Sequence, residues 1–232
     1  MVRLKLYSHI MISLRLPFSI VDRIDFSSFL EVTIFIDKNV DILDFSEVSS
    51  HDFQKNGSYV VYKNSQKYIF THVDFISQDE ITRWISSAGK KVMYDFSFVD
   101  GNKSHCLLLR LGCALYSFDY FRSDRTTKEV PLILVTSIDS AIQDTLAKIT
   151  ALTLARDFVN LPPNAKSPKQ YRAMIEALPW KNTSIQSYDD KALRDMGCGL
   201  ITAVAAGGSD GAQAIILKSK DSQQIDQVFV GK

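Results

Sequence analysis

The pattern of apolar and polar positions changes character twice along the chain. The first hundred residues carry short β-branched and aromatic runs separated by polar loops. Residues 32–36 form such a run, and Asp37-Lys38-Asn39 ends it, so a strand is expected there. Residues 59–62 and 68–72 predict a hairpin around Asn64-Ser65. Ser77-Gln78-Asp79-Glu80 opens a short helix, because its polar side chains cap free N–H groups and its acids face the positive helix end. Gly89 suits the C-terminus of that helix. Residues 91–98 predict another strand, and Asp100-Gly101 a turn.

From there the spacing becomes helical. Over residues 104–118, Leu108, Leu111, Leu115 and Phe118 recur at intervals of three and four, which is one apolar helix face. Gly112 inside that helix costs about 1 kcal/mol against alanine, so a close packing contact is expected to require it. Residues 130–136 read as a buried strand. A long helix follows, capped by Asp139 or Ser140, with Ile142, Leu146, Ile149, Leu152, Ala155 and Val159 as its stripe. Leu161-Pro162-Pro163 stops it, because proline lacks the N–H and restrains the residue before it.

After Pro163 short helices and strands alternate. Ser167-Pro168 starts a helix whose Tyr171, Ile175 and Leu178 face the core. A strand is expected over 184–188, then a helix capped by Asp189 and ended by Gly197. Residues 200–205, 214–218 and 227–230 read as three further strands. The fold class is therefore α/β. A smaller N-terminal α/β domain over 1–135 is joined by a linking helix, 136–163, to a second α/β unit over 164–232.

Composition narrows the function classes. Hydrophobic residues make up 46% and charged residues 23%, so the 232-residue chain can bury a substantial core. Lys plus Arg number 27 and Asp plus Glu 26, which leaves no overall electrostatic footprint for nucleic acid or an anionic membrane. The apolar stretch near the N-terminus is too short to span a bilayer and lacks a cleavage site, so the chain reads as soluble and cytoplasmic. Cys106, Cys113 and Cys198 match no zinc or redox spacing and read as reduced thiols. His9, His51, His72 and His105 make no ligand pair with one another or with a cysteine.

Four other constellations have simple structural explanations. Helix capping accounts for Asp189 beside Asp190 without an acid–base pair. The run Gly207-Gly208-Ser209-Asp210-Gly211 lacks the Lys-Ser/Thr of a phosphate-binding loop. Gly197-Cys198-Gly199 follows a helix rather than a strand, the wrong order for a dinucleotide fingerprint. Arg156-Asp157 reads as an anchoring pair.

Three stretches, in order and at matching spacing, carry a resemblance. The first is Leu115-Tyr116-Ser117-Phe118-Asp119-Tyr120-Phe121-Arg122-Ser123. The second is Ala155-Arg156-Asp157-Phe158-Val159-Asn160-Leu161-Pro162-Pro163-Asn164, followed by Ser167-Pro168. The third is Met196-Gly197-Cys198-Gly199-Leu200 with Ala203-Val204 and Gly208-Ser209, and Val230-Gly231-Lys232 follows it. Together they resemble the leucyl aminopeptidase (cytosol aminopeptidase) family, from about residue 112 to 232, with Arg122 standing where lysine is usual.

The resemblance implies a metal-dependent enzyme that releases N-terminal residues from peptides by two-metal hydrolysis. It implies a pair of divalent ions (zinc, manganese or magnesium), a bicarbonate that shuttles protons, and a homo-hexamer. It maps one residue of this chain to the metal site, Lys232. Lysine must lose a proton to ligate, from an ordinary pKa of about 10.4, and the paired cations drive that loss. Further aspartates, a glutamate and a second lysine are expected beyond Lys232, so this chain is expected to be inactive alone, with no catalytic residue of its own. The alternative is a non-catalytic member of the same family, an oligomerisation or DNA-binding regulatory module, which the neutral charge disfavours.

Overall fold

The structure is a computed structural model and describes residues 16–21, 29, 31–36, 58–63, 65–87, 90–123, 131–134, 139–220 and 227–231. The chain divides between Asp157 and Phe158 into two compact units.

The described residues up to Asp157 are built on a six-stranded sheet. Its strands are β1 (Ser19–Val21), β2 (Glu31–Ile36), β3 (Ser58–Lys63), β4 (Gln66–His72), β5 (Val92–Phe98) and β6 (Leu132–Leu134), in the order β1-β6-β5-β2-β4-β3. All neighbours run parallel except the β3–β4 hairpin. That hairpin is the expected one, and Ser65 takes the positive φ its tight turn needs. Along β2 and β5 five consecutive side chains are buried. A near-continuous apolar run, interrupted here by Thr33 and Asp95, suits a strand covered on both faces.

Two helices pack on this sheet ahead of a third, longer one. The first, α1 (Gln78–Ser87), starts as expected, with Ser77 Oγ accepting from the Glu80 N–H at 3.3 Å. It drives Trp84 into the core, edge-on to Phe35 with ring centroids 5.8 Å apart. Gly89 and Asn64 lie outside the described residues.

The second helix, α2, runs Gly101–Ala114, three residues earlier at its start and four at its end than its apolar spacing suggests. Asp100 is its N-cap, accepting from the Asn102 N–H at 3.0 Å, so Asp100-Gly101 opens a helix rather than forming a turn. Leu108, Leu111 and Leu115 are buried, whereas Phe118 lies beyond the helix with its ring against Tyr120 and Phe121.

The long helix is α3 (Ser140–Asn160), capped by Asp139, whose Oδ1 accepts from the Ile142 N–H at 2.7 Å. Gly112 is required where α2 meets it. A Cβ on Gly112 would stand 2.8 Å from Ile149 Cγ2, and Ile149 is itself buried. Phe35, Tyr94, Phe96, Ile133, Leu107 and Leu111 join these residues in one core. Each such side chain contributes about 1.5–3 kcal/mol by leaving water.

The face that α3 buries differs from the expected one in its second half. Ile142 and Ile149 are buried, but Leu152 is 43% and Val159 76% exposed, and Ala155 is exposed too. Thr145, Thr153 and Asp157 are buried instead. Of these, Thr145 donates to the Ala141 carbonyl at 2.9 Å, and Asp157 accepts two hydrogen bonds described below.

The described residues from Phe158 onward contain α4 (Pro168–Glu176), β7 (Thr183–Tyr188), α5 (Asp190–Asp195), α6 (Gly199–Ala205) and β8 (Ala214–Ser219). The Ser167 start is a full capping box with Gln170, and Pro168 takes the first turn. Leu178 is buried and Ile175 half-buried, and the partly exposed Tyr171 stands edge-on to Phe158 at 4.9 Å. Lys166 Nζ closes the end of α3 by donating to the Phe158 carbonyl at 2.6 Å.

Strands β7 and β8 pair antiparallel from Thr183↔Ser219 to Tyr188↔Ala214, close to the expected spans. Gly197, at φ +77°, ends α5: its N–H donates to Arg194 and the Cys198 N–H to Leu193, which forms a Schellman motif.

Two expected strands are absent. Residues 200–205 lie in α6, because a short apolar run has no period that separates strand from helix, and Leu200, Ala203 and Ala205 favour helix. Residues 227–230 form no ladder, and Phe229 and Val230 are at least 90% exposed. A strand needs a hydrogen-bonded neighbour, and among the described residues none pairs with this segment.

Candidate functional site

Two constellations gather the residues singled out by sequence. The first joins the tyrosine-rich segment after α2 to the end of α3. The Asp157 carboxylate is wholly buried. Its Oδ1 accepts from the Tyr116 hydroxyl at 2.8 Å and its Oδ2 from the Tyr120 hydroxyl at 3.2 Å. A buried carboxylate is tolerable only with such donors. Next to it, the Arg156 guanidinium lies 3.9 Å from the centroid of the Tyr116 ring and donates to the Cys113 carbonyl at 2.8 Å. A cation at the carbonyl end of α2 is favourable to the helix dipole. Arg156-Asp157 is thus an anchoring pair, as its sequence suggests.

The second constellation is a cleft of about 460 Å³ lined by Lys169, Arg172, Glu176, Asp190, Asp210 and Gln213 among others. Three of its acids, Glu176, Asp189 and Asp190, are already matched. Arg172 donates to Glu176 Oε1 at 2.9 Å and to Gln213 Oε1 at 3.0 Å. The Ser187 hydroxyl and Arg172 hold the Glu176 carboxyl below the usual range. Asp189 caps α5 through the Ala192 N–H at 2.9 Å. Asp190 Oδ2 accepts from Arg194 at 2.7 Å and Oδ1 from the Ala212 N–H at 3.0 Å. Arg194 first, and then that N–H, hold the Asp190 carboxyl below the usual carboxylate range. A general acid needs a carboxyl poised near neutral pH, and Asp190, held low, is not one.

The Gly207-to-Gly211 loop closes on the same carboxylate. Gly211 sits at φ +67°, and a Cβ there would stand 2.9 Å from Asp190 Cβ. The N–H that follows the loop is thus directed at a protein carboxylate. The role of Asp190 in fixing this loop was not legible from sequence; the one available signal was the glycine at 211.

The structure does not describe Lys232. Among the described residues no group of three or more His, Cys, Asp and Glu could hold a metal ion, so they do not by themselves fit a two-metal centre. Cys106 and Cys113 are exposed, Cys198 is intermediate, and all three are free thiols. Among the described residues no helix is long and apolar enough to cross a membrane.

Residues 153–232 match the model of the cytosol aminopeptidase family, catalytic domain. A probable cytosol aminopeptidase of Azotobacter vinelandii is 29% identical over 138 residues, 55% of this chain and 28% of that protein. One from Pseudomonas syringae is 30% identical over 125 residues, 50% of this chain and 25% of that protein. Through residues 153–232 the chain is similar to the catalytic domain of the cytosol aminopeptidase family.

The aligned part spans about a quarter of each of these curated family members. Solved structures share the fold. The bottromycin maturation enzyme BotP, in complex with Mn, superposes with a TM-score of 0.61 at 16% identity, over 81% of this chain and 44% of that one. Leucyl aminopeptidase from Trypanosoma cruzi gives 0.62 at 10% identity, over 92% of this chain and 51% of that one. Within the stretch matched to the cytosol aminopeptidase catalytic domain, Lys232 is the last residue, and the Asp190-held loop and the end of α3 lie inside it.

Proposed function

We propose that this chain supplies the N-terminal domain and the opening part of the catalytic domain of a metal-dependent aminopeptidase that releases N-terminal residues from peptides. The observation that carries the reading is the match of residues 153–232 to the cytosol aminopeptidase catalytic domain. In this reading residues 1–135 are the smaller domain, 136–163 the linking helix, and 164–232 the start of the catalytic domain. Lys232 is a metal ligand, and the other ligands of a manganese or zinc pair come from outside the described residues. Bicarbonate as a proton shuttle, a hexamer and a cytoplasmic location belong to the same reading. The described acids act structurally, through Asp157 at the end of α3 and Asp190 at the glycine loop, and no catalytic step is assigned to them.

The test is hydrolysis of a leucyl amide by the product of the gene that contains this chain, with and without manganese. Metal-dependent release of leucine, lost in Lys232→Ala with the circular dichroism spectrum retained, is the expected result. Activity unaffected by Lys232→Ala, or by exhaustive chelation, would overturn the assignment. A gene product that binds duplex DNA in a salt-dependent manner and hydrolyses nothing would favour the regulatory alternative.

A further inference from the structure

No further inference is drawn: the strongest candidate, the apolar face that α6 turns outward through Leu200, Ile201 and Val204 while burying Thr202, carries nothing because nothing in the structure shows what covers it.

Discussion

Tyr116 donates its phenolic hydrogen to Asp157 across 2.8 Å, although 41 residues separate the two in sequence. The bond fastens the coil after α2 to α3. A hydrogen bond to a charged group contributes about 1.5–3 kcal/mol, so Tyr116→Phe should lower the stability of the chain by about 2 kcal/mol in urea unfolding. Phenylalanine keeps a ring under Arg156, so the loss reports the hydroxyl. Asp157→Ala removes both of these hydrogen bonds at once and should cost more, about 3 kcal/mol or above. A cost within the usual surface range of about 0.5 kcal/mol would show that the buried carboxylate is not what holds the coil.

The contact between Gly112 and Ile149 makes a prediction whose sign reverses with background. Gly112→Ala gains about 1 kcal/mol of helix propensity, but overpacking costs about 1–3 kcal/mol, so the single variant should be destabilised. With Ile149→Ala in place the obstructing atoms are gone, and the same glycine substitution should become stabilising. Thermal melts of the parent and the three variants of the cycle measure this; equal effects in both backgrounds would refute the contact.

Asp190 sets a pH dependence for the glycine loop. Its carboxyl is held below the ordinary range in the folded state, so its contribution is present above the unfolded pKa and lost as pH falls through the folded one. The Ala212 amide should keep its hydrogen-bonded chemical shift through neutral and mildly acidic pH, then lose it on further acidification. Arg194→Ala removes the largest cause of the shift and should move that midpoint upward. A midpoint that stays put would separate the loop from the Arg194–Asp190 pair.

Asp95 has the opposite sign. Burial in β5 pushes its carboxyl up, and the Ser97 hydroxyl and then the Ser97 N–H, donating at 2.8 Å, offset this only in part. The folded state therefore holds the proton more tightly than the unfolded chain. Its contribution is full below the unfolded pKa of about 3.9 and is lost as pH rises through the folded value. Asp95→Asn should flatten the fall in stability across that window. If the slopes of melting temperature against pH coincide for both proteins, Asp95 does not titrate as described.

Metal should leave the described units untouched. Without three clustered donors among the described residues, adding manganese or zinc to the chain should not raise the melting temperature of either unit. A saturable, chelator-reversible increase would require donors other than those described.

The fold was legible wherever one local rule governed. Asn64-Ser65 between β-branched runs specified the hairpin, Ser167-Pro168 with Gln170 specified a helix start, and Pro162-Pro163 ended α3. It was illegible where a tertiary contact overrode the local rule. Leu152 and Val159 continue a helical stripe on paper, yet Thr153 and Asp157 are the residues turned inward. Residues 200–205 could be strand or helix by composition, and only the reversal at Gly197 and the packing of α6 on α5 fix the answer. As for the site, the motif around Arg156-Asp157 marked the right residues without revealing that Tyr116 and Tyr120 were their partners. A hydrogen bond spanning about forty residues leaves no periodic trace.

The polar inner stripe of α3 also fixes the helix's rotational setting. Apolar side chains lie on both its inner and outer faces, Ile142 and Ile149 within, Leu152 and Val159 without. One residue subtends about 100° of a helix, so a modest roll would exchange one greasy surface for another at little cost in burial. Such a roll would take the Asp157 carboxylate away from both phenols. The two phenol bonds to Asp157 add a directional preference to the apolar packing of Ile142 and Ile149. A chain lacking both hydroxyls would keep its helix content while losing its unique orientation, seen as multiple exchanging methyl signals for Ile142 and Ile149.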